Sequence, residues 1–256
     1  MFKQKASWRF AKDRVGYAVG DVHGRADLLA RMFEVLERDA QANLSSASAR
    51  PLVIFLGDYI DRGPDSAEVI DLLLLGRPEG FERRFLKGNH EAAMLAFLDD
   101  PVTHRSWLEH GGLETLASYK TPLMPTIGSS ASEIVAARDA FAKVLPAKHR
   151  AFFTGLERFA SIGDYLFVHA GVDPAKDLAG QSDADLFWIR RRFLNDTRRY
   201  DQCVVHGHTP VDQPFRDLRR VGLDTGAYYS GRLSAACFEG EAVRFLSADL
   251  ARPQAG

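Results

Sequence analysis

Cysteine is scarce, neither sign of charge is in surplus, and no long apolar run occurs; each absence closes off a class of function. Only Cys203 and Cys237 are found in 256 residues, too few for a disulfide framework or a thiolate zinc site. Both fall in apolar, strand-like stretches and read as buried reduced thiols. The 33 basic residues are balanced by 34 acidic ones. No basic field therefore invites nucleic acid or an anionic membrane, and any anion site has to be local. No apolar run approaches the ~18 residues of a membrane span. Residues 1–15 are basic but carry no continuous apolar stretch, so they do not read as a secretory signal, and the cytoplasm is the default compartment. No internal repeat or low-complexity tract interrupts the chain.

What is present is a core-forming composition, 46% hydrophobic, which argues for a folded α/β chain rather than disorder. Residues 1–14 read as a polar lead-in. Val15–Gly20, Pro51–Leu56 and Phe81–Leu86 are short apolar runs closed by glycine and read as buried strands. Helical patterns follow at Ala26–Ala40 and Ser66–Leu75, the first with Leu28, Leu29, Met32, Val35 and Leu36 on one face. Residues 41–50 form a polar connector, and the Leu72–Leu75 run reads as core. The order of strand, glycine, polar residues and helix is that of βαβ units, whose ligands gather beyond the carboxyl ends of the strands. A mostly helical segment occupies about 91–156, broken at Lys120–Ser130. The last third reads as short strands at Tyr165–His169, Cys203–Val205, Arg219–Leu223, Leu233–Phe238 and Ala242–Leu246, with a helical insert near Asp183–Leu194. One domain over 1–256 is expected.

Five short segments stand at strand ends: Gly20-Asp21-Val22-His23-Gly24, Gly57 through Gly63, Gly88-Asn89-His90-Glu91, His169-Ala170-Gly171 and His206-Gly207-His208-Thr209. Each sets oxygen or imidazole donors beside glycine, which lets backbone turn sharply and approach a ligand. One such segment alone is weak, because Asp and Asn beside Gly are ordinary turn residues. All five in order point to metal chemistry. Carboxylate and imidazole suit manganese, iron or zinc. Asp21 and His23, two apart on an extended strand end, point to one side and could share a metal. Asp58 could bridge to a second, completed by Asn89, His169 and His208. Two ions ~3.5–4 Å apart can share a hydroxide, a nucleophile near neutral pH. Two divalent ions against two carboxylates keep a positive surplus that attracts phosphate. Arg62 can fork onto phosphate oxygens, with Arg190 as a second candidate unless residues 190–192 are a solvated helix face. His90 is placed to protonate a leaving oxygen, and Asp61 to orient it. Glu91 reads as a tie between loops, His206 as a packing or supporting histidine, and Tyr228-Tyr229 as packing. His104, His110 and His149 read as surface or core residues without ligand partners.

Those segments, in that order, resemble the metallophosphoesterase signature of the calcineurin-like superfamily, specifically its serine/threonine phosphatase branch with bacterial and phage members. Trp107 through Tyr119, Asp224-Thr225-Gly226 and Ser230-Gly231-Arg232-Leu233 extend the resemblance over most of the chain. It implies a β-sandwich of two mixed sheets flanked by helices, a four-layer αββα arrangement; the strand pattern alone does not distinguish this from a doubly wound sheet. It implies one metal on Asp21, His23 and Asp58, a second on Asp58, Asn89, His169 and His208, an Asp61–His90 acid pair, and phosphate on Arg62. Manganese is the first expectation, with iron and zinc compatible. Pro210 stands where many superfamily members carry a further histidine. The implied function is a dinuclear-metal phosphomonoesterase acting on phosphoprotein or a small phosphoester, as a serine/threonine protein phosphatase. The rivals are a dinucleoside tetraphosphate hydrolase, which in this superfamily typically carries alanine where Asp61 stands, and a non-catalytic metal-binding scaffold.

Overall fold

The computed structural model describes residues 7–43, 50–198 and 200–250. Most of the connector expected at 41–50 and the first part of the lead-in lie outside them. Ten strands are present among the described residues: β1 (Val15–Val19), β2 (Leu52–Phe55), β3 (Glu82–Phe85), β4 (Phe159–Ile162), β5 (Tyr165–Val168), β6 (Cys203–His206), β7 (Phe215–Arg216), β8 (Arg220–Gly222), β9 (Arg232–Glu239) and β10 (Ala242–Asp249). They form two five-stranded sheets in the orders β10-β9-β1-β2-β3 and β4-β5-β6-β8-β7. Both are mixed. β1, β2 and β3 run parallel, as do β5, β6 and β8, while the remaining pairings are antiparallel.

Alternation along each strand sorts the side chains into layers. Ala18, Leu52, Ile54, Tyr165, Phe167, Cys203 and Val205 face inward and form the core between the sheets. Tyr17, Val19, Val53 and Phe55 face outward and pack with the helix Ala26–Asn43 and the helical segment beyond β3. Leu166, Val168 and Val204 do the same on the other side, against Leu186, Phe187 and Phe193. The result is the four-layer αββα sandwich implied by the resemblance, not a doubly wound sheet.

Several expectations need correction. The lead-in is not simply polar, since Trp8 and Phe10 are buried in the core between the sheets. The Phe10 ring lies where a side chain on Gly16 would project, its Cζ 2.2 Å from the site of a Cβ. Leu73 is buried, but Leu74 and Leu75 are exposed, so that run is core only in part. The helical insert is two short helices, Asp183–Trp188 and Arg191–Leu194. β4 and β7 carried no sequence signal strong enough to read. Cys203 and Cys237 are buried, one in each sheet.

The register sets up the site. Val19 pairs with Phe55 and Phe55 with Phe85, so β1, β2 and β3 end level with one another. In the second sheet Val205 pairs with Phe167 and with Val221. All six parallel strands therefore deliver the segments that follow them to one edge of the sandwich.

Away from that edge, His149 is buried in the helical layer. Its Nε2–H donates to Asp71 Oδ1 (3.1 Å), and its Nδ1 lies 2.8 Å from the Tyr119 hydroxyl, which can donate to the neutral ring. Burial lowers its pKa below the ordinary 6.5, with Lys148 adding and Asp71 opposing. The unfolded chain takes up that proton first, so this contribution to stability is complete above about 6.5 and is lost as pH falls below it. Urea denaturation at pH 7.5 and 5.5 should show a larger loss of stability in the wild type than in His149→Gln. Equal losses would mean that His149 is not the group responsible.

Candidate metal centre

Asp58, at the turn after β2, lies at the middle of the edge and is buried. Its Oδ2 is 3.5 Å from His23 Nε2 and 3.8 Å from His90 Nε2, while its Oδ1 is 3.4 Å from His169 Nε2. The two oxygens thus face different imidazoles. His23 Nδ1 lies 2.9 Å from the Ile60 carbonyl and His169 Nδ1 lies 2.8 Å from that of Leu56. A carbonyl only accepts, so each Nδ1 carries the hydrogen and each Nε2 is turned to the centre. Asn89 Oδ1 lies 2.9 Å from His169 Nε2 and 2.8 Å from His208 Nδ1. Asp21 Oδ2 accepts from the His208 amide (2.9 Å), whereas its Oδ1 is buried without a hydrogen-bond partner.

Two triads among the described residues could hold a cation: His23, Asp58 and His90, and Asp58, His169 and His208. The donor set and the orphaned Asp21 oxygen fit a pair of divalent ions. His90 joins the first triad where Asp21 was expected. Its Nδ1, however, is engaged by Asp61 Oδ2 at 2.7 Å.

Tight backbone geometry makes this convergence possible. Seven non-glycine residues among those described take positive φ, and five of them are His23, Asp58, Asp61, Arg62 and His208. Such conformations are costly and concentrate at functional sites. Glycine supplies the remaining room. A Cβ on Gly207 would lie 1.9 Å from Asp21 Oδ1, and one on Gly88 would lie 2.1 Å from Asp58 Oδ1.

The electrostatics show a surplus of negative charge. Asp224, noted in the sequence only as part of the C-terminal resemblance, is a third buried carboxylate beside Asp21 and Asp58. Burial, with Asp224 adding, pushes Asp21 well above the usual carboxylate range. Burial works against charge on His169, yet Asp58 raises it to about 10. His208 goes down to about 2 through burial and the neighbouring His169. Asp58 thus favours a positive charge on the neighbouring His169, and the same carboxylate would favour a cation beside it.

Around the centre, Asp61 is fully buried and its carboxylate is saturated: Trp107 Nε1–H (2.8 Å) and His90 bind Oδ2, and the Thr115 hydroxyl (2.6 Å) binds Oδ1. Arg62 lies with its Nη1 3.2 Å from His23 Nε2 and its guanidinium 5.1 Å from the centre of the Tyr228 ring. Arg190 donates from Nε to His208 Nε2 (3.0 Å), so it faces the centre and not solvent alone. His206 is buried, with its Nδ1 on the Gly207 carbonyl (2.9 Å) and its Nε2 near Arg220 (3.1 Å); it supports the loop and joins neither triad. From sequence Tyr228 reads first as packing and second as reaching the site from a loop, and His110 as a surface or core residue. Tyr228 packs edge-on against His23 with the rings 5.6 Å apart, and His110 lines the cavity over His90. Neither carries a local signal, because both are brought in by folding.

Glu91 is the tie expected from the sequence. It is fully buried, and its oxygens accept the backbone N–H groups of Tyr59 (2.8 Å), Asp58 (3.0 Å) and Gly88 (2.9 Å). Glu91→Gln turns an amide NH₂ toward these donors. It should cost about 3 kcal/mol in chemical denaturation, and a loss within experimental error would refute this role.

The calcineurin-like phosphoesterase family matches residues 17–241. The chain is 27% identical to the bis(5'-nucleosyl)-tetraphosphatase PrpE (asymmetrical) of Halalkalibacterium halodurans, over 92% of this chain and 94% of that protein. It is also 27% identical to the same-named protein of Bacillus subtilis strain 168, over 86% and 89%. Among solved structures, a protein provisionally named a diadenosine tetraphosphatase superposes with TM-score 0.61 at 20% identity, over 94% of this chain and 98% of that one. A cold-active protein tyrosine phosphatase mutant gives 0.59 at 14%, over 94% and 83%; at these identities the two superpositions speak for the fold. A match across nearly the whole sandwich and the loops at its edge makes the chain a member of the calcineurin-like phosphoesterase family.

Proposed function

We propose that the protein is a two-metal phosphoesterase acting on dinucleoside polyphosphates. The observation that carries the site is the position of Asp58, with one oxygen toward His23 and the other toward His169, flanked by the guanidinium groups of Arg62 and Arg190. The substrate class is supported by the tetraphosphatases that the chain resembles from end to end. Two divalent cations, with manganese the first expectation, would supply Lewis acidity and a water activated near neutral pH. Asp21, His23 and Asp58 would hold one, and Asp58, Asn89, His169 and His208 would hold the other. Asp224 adds a third carboxylate beside Asp21 and Asp58, so the positive surplus is smaller than the sequence implied, and Arg62 and Arg190 supply the attraction for an anionic substrate.

Arg62 and Arg190 grip the phosphoryl oxygens. Water gives up a proton to solvent, its oxygen bonds to phosphorus, the bond to the leaving oxygen breaks, and that oxygen takes the proton held by His90. Asp61 fixes the His90 ring in place through its own contacts with Trp107 and Thr115.

A second reading, a phosphomonoesterase such as a serine/threonine protein phosphatase, is favoured by the same His90–Asp61 pair. An alkoxide leaving group needs a proton, whereas the phosphate leaving group of an anhydride hardly does. The sequence put this reading first on the strength of Asp61; the named relatives put it second.

Chelator-stripped protein should be inactive, recover with Mn²⁺, and stay inactive as Asp58→Asn. Diadenosine tetraphosphate should be cleaved with a kcat/KM above that of a phosphoserine peptide, and the reverse order would favour the second reading. His90→Asn should cost on the order of 10²-fold on the peptide but under about tenfold on diadenosine tetraphosphate or p-nitrophenyl phosphate. Equal losses on all three would remove His90 as the acid.

A further inference from the structure

A leaving group has to depart into space that is open beside the reaction centre, and His90, placed to meet a leaving oxygen, marks one such side. On that side lies a cavity of about 310 Å³, whose lining includes His90, Arg62, Arg190, Trp107, His110 and Trp188. Trp188 is 44% exposed, whereas Trp8 and Trp107 are 4% and 2% exposed. A large indole left in water at the rim of a reaction centre calls for an explanation, since aromatic side chains supply much of the binding energy where they do meet a partner.

Local structure holds the indole there. Trp188 ends the helix Asp183–Trp188, whose Leu186 and Phe187 are buried against the second sheet. The Phe187 ring braces it at 5.8 Å. The backbone then extends at Ile189 (φ −60, ψ 139), so Trp188 and Arg190, two residues apart, reach the same cavity. One offers a flat π-face and the other a phosphate-binding fork beside His208.

We propose that Trp188 is the stacking seat for a nucleobase carried by the leaving group, with Arg190 taking the phosphate that links it to the reaction centre. This rests on the dinucleotide reading and adds a residue that would recognise the nucleoside half. A bare polyphosphate or an aliphatic phosphoester would reach the arginines but leave the indole uncovered.

The test is equilibrium binding to manganese-loaded protein, using non-hydrolysable methylene analogues of ATP and of tripolyphosphate, read by calorimetry and by quenching of tryptophan fluorescence. Base stacking predicts that the ATP analogue binds on the order of tenfold tighter than the tripolyphosphate analogue and alone quenches the exposed indole. In Trp188→Ala the affinity ratio should fall to near one, while Trp188→Phe, which keeps a ring, should retain most of it. Equal affinities in the wild type, or a ratio that survives Trp188→Ala, would overturn the seat. Failure of the substrate reading shows differently. Protein that prefers the ATP analogue through Trp188 but leaves diadenosine tetraphosphate intact would keep the seat and lose the substrate. Protein that cleaves the dinucleotide with a KM unmoved by Trp188→Ala would keep the substrate and lose the seat.

Discussion

Asp21, Asp58 and Asp224 are buried together where the edges of two sheets meet, and that concentration of charge governs the rest of the site. Buried carboxylates are expensive unless hydrogen-bonded or matched by positive charge. Part of the compensation is built in: the His90 amide binds Asp58 Oδ1 (3.1 Å), the His208 amide binds Asp21 Oδ2, and the Gly226 amide binds Asp224 Oδ1 (2.8 Å). The remainder is visible as the orphaned Asp21 Oδ1 and the raised His169. Binding free energy from cations would then contribute to folding as well as to chemistry.

The sandwich is arranged to tolerate this. Six parallel strands, three in each sheet, end at a common edge, and their following turns adopt positive φ or use glycine to bring donors close. Glu91 ties the turns after β2 and β3 to each other from beneath. His206 and Arg220 do similar work under the turn after β6.

Much of this was legible because chemistry and local structure coincide in the sequence. A donor beside glycine at the end of an apolar run is both a strand terminus and a candidate ligand, so Asp21, His23, Asp58, Asn89, His169 and His208 could be named as candidates, and folding brings all six to one edge. The rest depended on contacts remote in sequence. Phe10 enters the core because Gly16 leaves room for its ring. Asp224 matters because β8 lies beside β6. His110 and Trp188 sit on different helical segments and meet only at a cavity. The division of the strands between two sheets also had no local signature, since a buried parallel strand reads alike in either architecture. The choice between an anhydride and an ester as substrate has a similar origin. His90 and Asp61, the proposed acid pair, would suit a poor leaving group, but what lies beyond them is set by surfaces that the motifs do not encode.

The central claim is that the buried carboxylates are matched by two cations sharing Asp58. The direct measurement is the number of tightly held divalent ions per chain, determined by elemental analysis after exhaustive dialysis of manganese-loaded protein, in the wild type and in Asp58→Asn. Two ions per chain are expected in the wild type, with loss of both, or nearly both, in the variant. A wild-type chain that retains one ion or none, or an Asp58→Asn chain that still retains two, would contradict it.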